Sequence, residues 1–126
     1  MSRGRLPNAA RLVLAGIRLV NGTASLVAPA TFARRLGVDQ EAEPAALYAL
    51  RLFGVRTVLL GTELLSRNPE VRARALRLAV GIHLSDTIAA GIAAASRQLP
   101  AKGAKAAVVT SSVNTVLALV AARGAR

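Results

Sequence analysis

The chain has 126 residues, 53% of them apolar and 18% charged, with a net charge of +11 and no cysteine. With a mean hydropathy of +0.45, this composition excludes a disordered chain, which lacks the apolar content to order itself, and the length suits one domain over 1–126. Disulfides, thiolate zinc sites, iron–sulfur clusters and a cysteine nucleophile are excluded, and a single histidine, His83, argues against a protein-only metal site.

A membrane-crossing helix needs about 20 mainly apolar residues. Four stretches qualify in chain order. The first spans 9–28, is closed by Pro29, and carries Arg11 and Arg18. Residues 29–43 connect it onward through a short interfacial helix expected at 31–36, then Gly37 and the acids Asp39, Glu41 and Glu43. The second stretch spans 44–66 and opens with Pro44, whose missing N–H costs nothing in a first helical turn. Asn68 and Pro69 form a turn signal, and the third stretch runs from 70 to 96. A small basic loop at 97–103 leads to the fourth, 104–122, which is free of charge between Lys105 and Arg123. The expected fold is all-α: an antiparallel four-helix transmembrane bundle with both termini on one side.

A soluble helical bundle is the rival reading. It requires a broad charged face on each helix. The second stretch offers only Arg51, Arg56 and Glu63, which is too sparse, and the fourth offers none. Arg3, Arg5 and the small residues at 26–30 also resemble a secretory signal. Arg18 in the middle of that segment and Pro29 beside the would-be cleavage point disfavour it. A soluble nucleic-acid binder would use the net positive charge. The 15 Arg and 2 Lys are instead spread along the chain, some inside apolar stretches, so no nucleic-acid partner is expected.

Basic residues favour the cytoplasmic side of short loops. Arg3, Arg5, Arg11, Arg67, Arg72, Arg74, Arg77, Arg123 and Arg126 fall on the side of the termini and the 67–69 turn. Arg34, Arg35, Arg97, Lys102 and Lys105 fall on the other side, with the three loop acids. Cytoplasmic N- and C-termini are therefore expected. Phe32 and Tyr48 lie near the outer interface in this arrangement.

Charged residues within spans are tolerated when they face the bundle interior and find partners. Arg11, Arg18 and Ser25 are seven apart and form a polar stripe with Asn21. Arg56 and Glu63 are seven apart on the second helix; His83 and Asp86 are three apart on the third. The expectation is one interior network of Arg18, Arg56, Glu63, His83 and Asp86. Arg18 and Arg56 surround Asp86 beside His83, and Arg11 or Arg77 holds Glu63. Two readings stay open: a site for an anionic ligand or a proton, and polar glue worth about 0.6–2 kcal/mol per interhelical contact. Gly81, Ser85, Ala89 and Ala93 form a stripe of small residues that implies close helix packing, within the bundle or between copies. Gly54 and Gly61 read the same way. No catalytic residue, metal ligand or cofactor motif emerges; the hydroxyls at 110–115 are expected to bond backbone carbonyls.

Arg51, Gly54, Arg56 and Gly61, in the run RLFGVRTVLLG at 51–61, form a pattern that resembles small four-helix bacterial membrane proteins of the broadly DoxX-like kind. Residues 83–90, with His83 and Asp86, resemble the Asp-containing third helix of that family, and 26–33 resemble its first loop. Thr57 stands where the family often has an acid. The resemblance implies an integral membrane protein with no established reaction. Taken together, these readings lead to an inner-membrane protein of non-catalytic, structural or accessory type. Its partners are the lipid bilayer and either a second copy or a membrane partner protein. A carrier or redox-linked enzyme for an anionic or quinone-like ligand is the alternative.

Overall fold

The structure is a computed structural model and describes residues 4–124. Arg3 and Arg126, counted above for orientation, lie outside the described residues. The described residues form five helices: α1 (Arg5–Val27), α2 (Pro29–Arg35), α3 (Ala45–Leu64), α4 (Pro69–Ala95) and α5 (Ala101–Arg123). There is no strand among the described residues. The four long helices are each long and apolar enough to cross a bilayer, and α2 is the short connecting helix.

Local chemistry explains the boundaries. Pro29 separates α1 from α2 and opens the latter. The Asn68 side chain caps α4 by accepting from the Glu70 and Val71 amides. Pro69 occupies the first turn, where no donor is needed. Two ends close by the same motif, in which the last turn folds back onto its own carbonyls. After α2, Val38 N donates to Ala33 O and Gly37 N to Arg34 O, with Gly37 at φ 75°. After α4, Gln98 N donates to Ala93 O and Arg97 N to Ala94 O, with Arg97 at φ 56°.

Helix α1 packs most extensively on α3 and also on α5; α4 packs chiefly on α5. The α1–α3 crossing is made by glycines. A Cβ on Gly54 would lie 2.7 Å from the Gly22 carbonyl, and one on Gly22 would lie 2.9 Å from the Val58 amide. The two backbones therefore touch, and only hydrogen fits between them. Further along, Gly61 meets Arg18 and Leu19, and Arg11 donates to the Leu64 carbonyl at the end of α3. Between α1 and α5, Gly124 lies against Pro7. Helix α2 lies on α3 through Phe32 and Phe53, whose ring centroids are 6.1 Å apart.

The core is made of small residues. Ala10, Leu14, Ala15, Leu64, Ala75, Leu76, Ala79, Ala118 and Ala121 form one buried cluster. Most large apolar side chains point outward instead, among them Val20, Leu59, Ile88, Ile92 and Val116. The stripe of Gly81, Ser85 and Ala89 also faces outward on α4, so it does not pack within the bundle.

Candidate functional site

Helices α1, α4 and α5 bring polar groups to one level just beyond the apolar cluster. Arg18 stands one turn past Leu14, His83 one turn past Ala79, and Asn114 one turn before Ala118, and those three apolar residues share the cluster. Arg18 and His83 are only 3% and 4% exposed. Thr57 of α3 and Asn114 are buried as well.

Arg18 Nη1 donates to His83 Nε2 at 2.5 Å, tying α1 to α4. Guanidinium groups have no acceptor, so this contact fixes the imidazole tautomer. Nε2 supplies its lone pair, and the ring proton sits on Nδ1. That Nδ1 faces Asp86 Oδ2 at 3.8 Å, an electrostatic contact too long for a hydrogen bond. The order is cation, imidazole, carboxylate: Arg18 and Asp86 polarise the same ring from opposite sides. The Asp86 side chain is 45% exposed, so its remaining acceptor capacity faces out of the bundle. Among the described residues, Arg18 Nε and Asn114 Oδ1 are buried with no hydrogen-bond partner.

The expected network is thus only partly assembled. Arg18, His83 and Asp86 come together; Arg56 and Glu63 do not join them. Arg56 lies on the exposed side of α3. The reason is angular. The buried face of α3 is Gly54, Thr57, Gly61 and Leu64, and a residue two positions after Gly54 sits about 200° around a 3.6-residue turn. Glu63 pairs with Arg74 at 3.3 Å, not with Arg11 or Arg77. Arg11 instead donates to the Leu64 carbonyl and to Asn8 Oδ1. The α1 stripe does face inward: Ser25 is fully buried and donates to the Leu50 carbonyl at 2.6 Å.

Asn114 escaped the sequence reading. Its signal was available, since it is the one carboxamide on a charge-free apolar span. Of the nearby hydroxyls expected to bond backbone carbonyls, Thr115 does so, donating to the Ser111 carbonyl. Thr87 bonds the His83 carbonyl and meets Thr115 across α4 and α5 at 3.2 Å. No group of His, Asp and Glu side chains among the described residues could hold a metal ion.

No protein family, curated protein or solved structure matches this chain. The functional reading therefore rests on the chain's own chemistry.

Proposed function

We propose that this chain is an integral protein of the bacterial inner membrane, an antiparallel four-helix bundle with cytoplasmic termini and a non-catalytic, structural or accessory role. One observation carries the reading: the bundle is apolar outside and small or polar inside. Leu and Ile side chains stand exposed along the long helices, while Arg18, His83, Asn114, Thr57 and Ser25 are buried. Water would drive the opposite sorting; lipid permits this one, because a polar or charged group such as Arg18 can turn inward to a partner. The antiparallel order is supported by the pairing of Arg11 with Leu64 and of Gly22 with Gly54. Pro7 beside Gly124 supports termini on one side.

The accessory role includes self-association. Arg56 is exposed near the middle of α3, and Asp86 is half-exposed near the middle of α4. An exposed mid-span charge costs about 2.5–3.5 kcal/mol on insertion scales. Pairing Arg56 of one copy with Asp86 of another removes both costs, and the outward Gly81, Ser85 and Ala89 let a second helix approach. The buried and unpartnered Arg18 Nε and Asn114 Oδ1 favour the alternative, a carrier with a small polar ligand between α1, α4 and α5.

The test of the membrane reading is fractionation with carbonate extraction. The protein is expected to stay in the membrane pellet and to need detergent for release. Release into the carbonate supernatant would overturn the reading.

A further inference from the structure

At the end of the bundle where Pro7 meets Gly124, a cleft of about 410 Å³ opens between α1, α4 and α5. Its volume falls within the range of about 300–1,000 Å³ usual for small-ligand sites. Arg11 comes from α1 and Arg72 from α4, and no carboxylate among the described residues shares the lining. Both guanidinium groups are held by neutral oxygens. Arg11 donates to the Leu64 carbonyl and Asn8 Oδ1 at 2.6 Å each; Arg72 Nη1 donates to the Ser66 carbonyl at 3.2 Å. A guanidinium has five N–H donors, so each retains several. Neither forms an ion pair among the described residues, while the neighbouring Glu63 is taken by Arg74. Two like-charged forks lining one cleft repel each other, and an anion between them would relieve that repulsion. Paired planar donors match the oxygens of a phosphate bidentately.

We infer that the Arg11–Arg72 cleft binds a phosphate group, the chemistry shared by an anionic lipid headgroup and a small soluble phosphate ester. Pro7, Pro69, Ala73 and Ala121 supply an apolar wall beside the two forks, which suits a headgroup entering from the bilayer edge. This inference rests on the membrane reading, because the cleft then lies at the cytoplasmic interface, where anionic lipid concentrates.

The experiment uses the full chain in nanodiscs of neutral phosphatidylcholine and in nanodiscs with phosphatidylglycerol added. Inorganic phosphate or glycerol phosphate is titrated into the neutral discs. A ligand present well above its dissociation constant is expected to raise the melting temperature by about 5 °C. A rise with phosphatidylglycerol alone assigns the lipid; a rise with soluble phosphate in neutral discs assigns the soluble ester; either supports the cleft. Arg72→Gln is expected to abolish the rise. Ala73→Leu, which fills the cleft and leaves both charges, is expected to abolish it too, and Arg35→Gln at the opposite end is expected to retain it. No rise with either phosphate source, or a rise unchanged in both Arg72→Gln and Ala73→Leu, overturns the inference. Failure of the membrane reading shows separately, as release by carbonate before any ligand is added.

Discussion

His83 occupies a position that neither neighbour can leave without consequence. Arg18 cannot shed its proton, and among the described residues the imidazole lone pair is its one side-chain acceptor. His83→Leu strands a buried cation and is expected to destabilise the fold by about 3–5 kcal/mol. Arg18→Met leaves a neutral ring and is expected to cost less, about 1–3 kcal/mol. The double change is expected to return within about 1 kcal/mol of wild type, because apolar replacement of a buried polar pair is often neutral. Denaturation in detergent micelles measures all three, and a His83→Leu protein as stable as the parent would refute the arrangement. Arg97 makes a second prediction at this scale. It takes the left-handed conformation that Gly37 takes in the same motif after α2. Arg97→Gly is therefore expected to stabilise by about 0.5–1 kcal/mol, read as a higher melting temperature. Gly37 was legible in the sequence as a helix stop, whereas nothing about Arg97 announced its backbone. The nearness of Arg18, His83 and Asp86 was legible in the sequence, but Arg18 was expected on the carboxylate, and its bond to the imidazole was not legible.

Helix α3 explains how far element-scale reading reached. Two heptad pairs lie on it, Gly54 with Gly61 and Arg56 with Glu63, and both looked like interior faces. They are offset by two residues, so only one can face inward. Backbone approach decides: Gly54 contacts Gly22 directly, and no side chain could replace that hydrogen. On α1 the Arg11, Arg18 and Ser25 stripe had no competing glycine face, and all three side chains bond other helices. Gly22 has its partner on α3, across the whole loop and α2, so no spacing within α1 marks it. Gly54→Leu is expected to prevent the α1–α3 crossing, with a loss above the usual 1–3 kcal/mol for an overpacked core, since backbone rather than side chain must give. Cysteine crosslinking between α1 and α3 measures it, and normal crosslinking in Gly54→Leu would contradict the close crossing. Removing the α4 cap by Asn68→Ala is expected to cost about 1 kcal/mol, measured by the same denaturation.

At the scale of the whole molecule, four long apolar helices and one short connecting helix were legible, the long ones because length and hydropathy set them. The packing order was not, since periodic stripes do not say which helix they meet. A chain without native cysteine suits topology mapping. Single cysteines placed beside Arg67 and Arg123 are expected to react only from the cytoplasmic side, and one beside Asp39 only from outside. Labelling of the Arg123 position from outside would reverse the orientation. Association between copies is checked by exchanging charges. Arg56→Asp and Asp86→Arg are each expected to lower the dimer fraction in detergent, and the two variants mixed, or combined in one chain, are expected to restore it. Equal dimer fractions in every case would refute the pairing.

The Arg18–His83 bond also has a consequence in time. Its two ends are 65 positions apart in the chain, whereas α3, which α1 meets through the glycine crossing, precedes α4 in the chain. During synthesis the leading half therefore carries a guanidinium whose acceptor has not yet left the ribosome. That half is expected to stay loosely seated, or shielded by an insertion factor, until α4 arrives. Chains halted after α3 should consequently be cleared by membrane proteases faster than complete ones.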